Sequence, residues 1–203
     1  MPSPTTSDFS EQGYTVLPPV IEASTVENLL GELKAFEQEA LSTGTEQMYA
    51  LRNLFRLLPS VCSIATSQSL KGIAERYLGE ECHAVRAIYF DKIPEANWRV
   101  PWHQDLTVAL KQRVESEGFS AWSLKAGVVH AQAPAWLLER MITLRLHLDP
   151  CEAENAPLRV LPGTHIYGKL TSEQIANFRA ERPEAICEVE RGGVLVKIGR
   201  AHV

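Results

Sequence analysis

The sequence of this 203-residue chain lacks the features that mark several large protein classes. It has no Cys-x-x-Cys pair, and its four cysteines lie far apart, which favours reduced thiols in the cytoplasm over disulfides or a zinc site. No run of basic residues occurs, and the net charge of -5 argues against a surface for nucleic acid or anionic membranes. No apolar stretch approaches the ~20 residues that a membrane-spanning helix needs, and the polar N-terminus does not resemble a secretory signal.

The sequence also has no glycine-rich nucleotide-binding loop, internal repeat or low-complexity tract. Its length predicts a single domain, residues 1–203, of which residues 1–7 are expected to be disordered. Apolar residues at helical spacing behind a capping-box pattern that starts at Ser24 predict a helix over 25–41. A second helix is predicted over 69–78, so both of these helices precede the segments that favour strands.

Short segments rich in β-branched, aromatic or alternating residues follow the two helices. The predicted strands are 83–91, 141–149, 158–161, 186–190 and 194–197. The last two are expected to pair with each other, a helix is predicted over 172–180, and 110–139 is interpreted as an irregular insertion that forms a lid or binding loop. Helices first and short strands afterwards predict a mainly β fold with flanking helices, a sandwich or jelly roll.

The stretch Trp102-His103-Gln104-Asp105 carries the strongest chemical signal in the sequence. Side chains alternate along an extended backbone, so His103 and Asp105 are expected to point to the same side. An imidazole and a carboxylate placed together supply two of the three ligands of a 2-His-1-carboxylate iron site. Taken alone, a His-x-Asp pair is more often a solvated surface pair, and both interpretations stay open on this motif.

Three runs of residues, taken together, resemble the phytanoyl-CoA dioxygenase family. They are 90–94 (FDKIP), 102–106 (WHQDL) and 155–165 (NAPLRVLPGTH). The resemblance extends from residue 9 to residue 197. It implies a double-stranded β-helix of the jelly-roll or cupin-like type, and an enzyme that uses Fe(II), 2-oxoglutarate and O2 to hydroxylate aliphatic carbons of small molecules.

The resemblance also implies roles for individual residues. His103 and Asp105 match the family's first two iron ligands, and Lys92 matches a lysine beside the 2-oxoglutarate carboxylate, where an ammonium pairs with the dianionic co-substrate. Arg145, on the polar face of the predicted strand 141–149, is a candidate for binding 2-oxoglutarate or substrate. The reaction would release succinate and CO2, and a carboxylate at Asp105 favours hydroxylation over the halogenation that related enzymes perform with a small residue there.

The family pattern breaks at Ile198, before the distal histidine ligand and the arginine that binds 2-oxoglutarate further along. Residues 198–203 read Ile-Gly-Arg-Ala-His-Val. The DNA string ATCGGAAGAGCACACGTC, which is the start of a common sequencing adapter, encodes these six residues in one reading frame. We hypothesise that these residues are not natural and that the chain lacks the last barrel strands. In that case His202, the third candidate metal ligand, lies near the position of the family's distal histidine only by chance. Long-read resequencing tests the hypothesis, and a natural in-frame stop after Val203 contradicts it.

Two other functions remain open on the sequence alone. A non-redox, cupin-like metalloenzyme or isomerase would share the barrel and the metal site without using 2-oxoglutarate. An inactive or truncated binding protein would share the fold without the metal. His147 and His165 are expected to have structural roles, with a supporting role beside the metal possible for His147, and Lys197 is interpreted as a solvated charge. The sequence does not specify the small-molecule substrate or the oligomeric state.

Overall fold

The computed structural model describes residues 6–42, 50–91, 101–125 and 127–199. Within these ranges, short antiparallel strands form four small sheets, and this confirms the mainly β fold with flanking helices. The helices are α1 Thr6–Gln12, α2 Ala23–Ser42, α3 Leu54–Leu57, α4 Pro59–Ala65, α5 Gln68–Leu78, α6 Ala135–Leu138 and α7 Ser172–Glu181. The strands are β1 Tyr14–Leu17, β2 Ala50–Leu51, β3 Tyr89–Phe90, β4 Thr107–Leu110, β5 Ser120–Lys125, β6 Val128–Gln132, β7 Ile142–Leu146, β8 Leu158–Val160, β9 Ala185–Cys187 and β10 Val194–Ile198.

The central sheet has the strand order β1–β10–β7, with both pairings antiparallel. Along β10, Val194 and Val196 point to one face of the sheet and are fully buried. They pack against Phe9 of α1 and Leu70 of α5, so the two helices cover this face. Burial of one such side chain contributes about 1.5–3 kcal/mol, and this cluster therefore fixes the helices on the central sheet.

The opposite face of the central sheet packs against the β8–β9 sheet. Leu195, which alternates with the two valines of β10, is fully buried there against Val160 and Cys187. The next residue of β10 on this face is Lys197. On the face that packs against β8 and β9, strand β10 therefore has an apolar residue, Leu195, followed by a charged residue, Lys197.

The predicted helices are found in the structure, with shifted starts. Helix α2 contains the predicted range 25–41 but begins at Ala23, so Ser24 lies inside its first turn and not before it. Helix α5 contains 69–78, and Ser67 caps it by accepting a hydrogen bond from the Leu70 backbone N–H. Helix α5 begins at Gln68, one residue before the predicted first residue, and helix ends commonly differ by one or two residues between assignments.

Helix α7 matches the prediction for residues 172–180 and has a complete capping box. The Thr171 hydroxyl accepts from the Gln174 backbone N–H, and the Gln174 side chain accepts from the Thr171 backbone N–H. Two backbone N–H groups that have no partner within the helix are thereby hydrogen-bonded by these side chains. The cap fixes the point at which the chain enters α7.

The prediction that 186–190 pairs with 194–197 is wrong. Strand β9 pairs with β8, and β10 pairs with β1 and β7. The physical reason is burial, because β10 is buried on both faces and a strand of this kind is stable in the middle of a sheet. The prediction for 83–91 is also too long, since only Tyr89–Phe90 forms ladder bonds, with β2.

Residues 110–139 are more regular than the sequence suggested. They contribute to a three-stranded sheet of order β4–β6–β5, followed by α6. Val108, Ala133 and Leu138 form the small core of this unit. At the other end of the chain, helix α1 begins at Thr6, so the expected disordered segment overlaps this helix by two residues. Among the described residues no helix has the length and apolar character needed to cross a bilayer.

Candidate metal centre

His103 and Asp105 are brought together as the period-two argument predicts. The His103 Nε2 atom lies 3.6 Å from Asp105 Oδ1, and the ring is turned so that Nδ1 lies 2.9 Å from the Pro101 carbonyl oxygen. Donation of the Nδ1 proton to this carbonyl leaves the Nε2 lone pair on the side of the carboxylate. Metal-bound histidines are commonly oriented in this way by a backbone carbonyl.

The second oxygen of Asp105 belongs to an ion pair that sequence reasoning missed. Lys197 Nζ donates to Asp105 Oδ2 over 2.6 Å, and Lys197 is only 5% exposed. The interpretation of Lys197 as a solvated charge is therefore wrong. The cause is its place on the inner face of a central strand, a position that the isolated sequence of β10 does not disclose.

His103, Lys197 and the surrounding burial set the protonation state of Asp105. His103 and then Lys197 hold the pKa of Asp105 well below its usual range, against an opposing effect of burial. The pKa of His103 is raised, mainly by its interaction with Asp105 and in part by the Pro101 carbonyl. Asp105 is consequently a carboxylate at neutral pH, which is the form that binds a metal cation.

Arg145 lies on the same face of the central sheet as Lys197. In the β7–β10 register Arg145 is opposite Leu195 and Thr143 is opposite Lys197, so Arg145 and Lys197 are diagonal neighbours, about 7–8 Å apart by normal sheet geometry. Burial lowers the pKa of Arg145, and the Asp105 carboxylate partly offsets this. The sequence thus placed Arg145 correctly on the polar face, and that face adjoins the His103–Asp105 pair.

Arg86 is a second arginine near the carboxylate, and sequence reasoning did not select it. Burial lowers the pKa of Arg86, while Asp105 raises it. Arg86 precedes the short strand β3, in a segment that was interpreted as an ordinary strand. A signal was present in the alternation: Ala87 and Tyr89 pack into the core beside α2, so in an extended segment Arg86, next to Ala87, faces the other way.

Two of the predicted site residues, Lys92 and His202, lie outside the described residues. The part of the chain that the structure describes has no group of three or more His, Cys, Asp or Glu side chains that could hold a metal ion. His165 is buried, and its Nε2 atom lies 3.0 Å from the Ser10 carbonyl oxygen of α1, as expected for a structural histidine. The described residues therefore supply two donors to the candidate centre.

The donors that are present fit Fe(II). An imidazole nitrogen and a carboxylate oxygen on one face are two thirds of the 2-His-1-carboxylate set, whose remaining positions stay open for other ligands. The ammonium of Lys197 already sits on one oxygen of Asp105, which shows that this carboxylate attracts a cation. Iron binding at Asp105 Oδ1 needs no change in that bond, whereas bidentate binding would displace Lys197.

Short antiparallel strands beside a His-x-Asp pair are typical of double-stranded β-helix metalloenzymes. Within that class the family is shown by sequence. The family model "Phytanoyl-CoA dioxygenase (PhyH)" matches residues 9–201, so the chain belongs to the phytanoyl-CoA dioxygenase family. It is accordingly an Fe(II)- and 2-oxoglutarate-dependent oxygenase that uses O2. The comparison with curated proteins finds no match.

Solved structures confirm the cupin-like double-stranded β-helix. EctD from S. alaskensis with bound Fe has 14% sequence identity and a TM-score of 0.65, with 97% of this chain and 68% of EctD covered. The non-heme alpha ketoglutarate dependent carbocyclase SnoK from nogalamycin biosynthesis has 16% identity and a TM-score of 0.69, with 98% and 74% covered. AviO1 from Streptomyces viridochromogenes Tue57 has 19% identity and a TM-score of 0.66, with 98% and 84% covered.

Proposed function

We propose that the protein hydroxylates an aliphatic carbon of a small molecule and that His103 and Asp105 are two of its iron ligands. When bound, iron with 2-oxoglutarate and O2 supplies oxidising chemistry that puts one oxygen atom into succinate, with loss of CO2, and the other into a C–H bond. The observation that carries the proposal is the 3.6 Å separation of His103 Nε2 and Asp105 Oδ1. A carboxylate at Asp105 occupies the position that a halogenase leaves to chloride, which favours hydroxylation.

The other site residues have separate roles in this proposal. Arg145 binds the anionic end of 2-oxoglutarate or the substrate, because its buried guanidinium shares the inner face with Lys197, beside Asp105. Lys92 pairs with the co-substrate, and His202 is the candidate for the third ligand. Both of these roles rest on the family pattern. The wide spacing of the four cysteines in the sequence and the lack of a Cys-x-x-Cys pair favour a cytoplasmic location.

An anaerobic titration with Fe(II) and 2-oxoglutarate tests the proposal. Chelation of iron by 2-oxoglutarate produces a weak visible charge-transfer band, which should appear with the unaltered chain if His202 supplies the third ligand. His103→Ala and Asp105→Ala should each abolish the band, because each removes one of two described donors. His83→Ala is the matched control, since His83 is exposed, and it should keep the band. A band that survives His103→Ala contradicts the assignment of the site.

The Lys197–Asp105 ion pair favours a second candidate function, a metal-free binding protein. In this case the ammonium would permanently replace the metal at Asp105. Metal analysis after reconstitution separates the two functions, because an oxygenase takes up one Fe(II) per chain and the binding protein takes up none. Succinate formation separates the oxygenase from a non-redox cupin-like enzyme, which needs no 2-oxoglutarate.

A further inference from the structure

We propose that Gln104 is a positioning residue that holds the two iron ligands at their separation by clamping the ligand stretch to the loop in front of α7. This inference rests on the proposed function, because it takes His103 and Asp105 as the ligands. It adds a residue that touches neither the metal nor the co-substrate. The loop is the segment 168–170, and the name "α7 loop" is used for it below.

The alternation of side chains separates two tasks along the ligand stretch. His103 and Asp105 point towards Lys197 on the inner face of the central sheet. Gln104 lies between them in sequence and so points to the opposite side. There it contacts the α7 loop, which is more than 60 residues further along the chain. A movement of Gln104 must therefore move both ligands.

The Gln104 amide uses both of its polar atoms in the contact. Its Nε2 atom donates to the Gly168 carbonyl oxygen over 2.8 Å, and its Oε1 atom accepts from the Leu170 backbone N–H over 3.2 Å. An amide side chain carries a donor and an acceptor on one planar group, as this pair of contacts requires. A carboxylate could accept from Leu170 but would place a second oxygen against the Gly168 carbonyl, and an apolar side chain would satisfy neither partner.

The α7 loop is itself firmly held, so it can serve as an anchor. Gly168 has a φ of 72°, a conformation that favours glycine and fixes the direction of the loop. The Thr171 capping box begins α7 directly after it. Lys169 Nζ donates to Gln132 Oε1 on β6 over 3.3 Å, which ties the same loop to a second sheet.

Trp102 provides a second contact between the ligand stretch and α7. The guanidinium of Arg179 on α7 lies 5.1 Å from the centroid of the Trp102 ring, within the range of a cation–π interaction. By alternation Trp102 lies on the same side as Gln104. The residues on one side of the stretch thus contact α7 and its loop, while those on the other side supply the ligands.

The clamp matters for metal binding because ligands that are already placed lose less freedom when the metal arrives. Loss of a supporting hydrogen-bond partner typically lowers metal affinity about 10–100-fold. We expect a loss in this range for Gln104→Met, which removes both hydrogen bonds while keeping a similar side-chain length. Gln104→Glu keeps the acceptor for Leu170 and should lose less.

Cobalt(II) is a suitable probe, because its visible d–d bands report the coordination geometry without any turnover. Co(II) affinity and band positions are measured anaerobically for the unaltered chain, Gln104→Met, Gln104→Glu and His103→Ala. Gln38→Met is the matched control, since it makes the same exchange at an exposed position of α2, away from the ligand stretch and the α7 loop. Hydrogen exchange of the Leu170 amide is measured in the metal-free proteins and reports the clamp itself.

The expected result has three parts. Gln104→Met weakens Co(II) binding about tenfold or more, shifts the d–d bands and speeds exchange of the Leu170 amide. Gln104→Glu gives a smaller change in the same direction, and it carries the test if Gln104→Met does not fold. Gln38→Met leaves both affinity and band positions unchanged.

Failure of the clamp and failure of the proposed site give different results. If the unaltered chain binds Co(II), His103→Ala does not, and Gln104→Met binds as the unaltered chain does, the clamp proposal alone is overturned, even where the variant is less stable. If the unaltered chain binds no Co(II), or if His103→Ala binds it equally well, the site assignment is overturned and the positioning role falls with it.

Discussion

Lys197 places a buried ammonium on the carboxylate that we propose as an iron ligand. Lys197 Nζ is 2.6 Å from Asp105 Oδ2, and the lysine side chain is only 6% exposed. A hydrogen bond to a charged group contributes about 1.5–3 kcal/mol, although the half-exposed state of Asp105 places this pair at the lower end of that range. The consequence for metal binding can be measured with a single substitution.

Lys197→Met should strengthen binding of Fe(II) or Co(II) about tenfold. The substitution keeps an apolar chain of similar length in the buried position and frees both oxygens of Asp105. Anaerobic metal titration of both proteins measures the change. Lys71→Met is the control, because Lys71 pairs with Glu75 at the surface and should not affect the metal. Weaker metal binding by Lys197→Met would show that the lysine supports the site and does not compete for it.

His147 should make the protein less stable as the pH falls from 6.5 towards 4. It is 9% exposed, and burial, with a further contribution from Arg145, lowers its pKa to about 4. The unfolded chain therefore binds a proton in this window while the folded chain does not, which removes up to about 2–3 kcal/mol of stability. Urea unfolding at pH 7 and pH 4.5 should show a smaller loss for His147→Gln.

The control for this pH effect is His83→Gln. His83 is exposed, so its replacement controls for the removal of a histidine that is not buried. The comparison also cancels the contribution of carboxylates that titrate in the same window. If His147→Gln and the unaltered chain lose the same free energy of unfolding between the two pH values, burial of His147 is not the cause.

At the residue scale, the sequence revealed what depends on local geometry. Period-two alternation was sufficient to bring His103 and Asp105 together and to place Arg145 on the polar face of β7. It could not reveal Lys197 or Arg86 as neighbours of Asp105, because those contacts join segments that are distant along the chain. Burial of a lysine depends on which strand becomes central, and hydrophobic periodicity does not carry that information.

At the scale of single elements, the start of α7 offers a direct test of the capping box. Thr171→Ala removes the hydroxyl that accepts from the Gln174 N–H, and it should lower the free energy of unfolding by about 0.5–2 kcal/mol. Ser172→Ala, one residue inside the helix, is the control and should have a smaller effect. Chemical denaturation measures both. An equal effect of the two substitutions would mean that the cap contributes nothing.

Elements with a strong local signal were predicted well, and elements that depend on pairing were not. Helices α2 and α5 and strand β7 were predicted from patterns that involve only residues close together in the sequence. By contrast, β9 and β10 were expected to pair because they are close in sequence, whereas β10 instead lies between β1 and β7. Residues 110–139 gave no clear period, since β5 is mostly exposed and carries a register shift between Ser120 and Ser123.

At the scale of the whole molecule, the N-terminal helix belongs to the central core. Phe9 is 4% exposed and shares a cluster with Val194 and Val196 of β10. Phe9→Ala should lower the free energy of unfolding by about 3–5 kcal/mol, as measured by chemical denaturation. Phe90→Ala is the control, because Phe90 is 48% exposed. A loss no larger than that of the control would mean that α1 folds independently of the sheet.

The position of β10 has a consequence for how the protein is made. Tyr14 of β1 pairs with Lys197 of β10, so the ribosome synthesises most of the described chain before β1 meets its partner. Closing so long a loop lowers the entropy of the chain before the stabilising contacts between the strands form. Folds that are dominated by such distant pairings therefore form slowly. Until β10 emerges, β1 and β7 present open edges to the solvent, and nascent chains are at their most prone to aggregation during this interval.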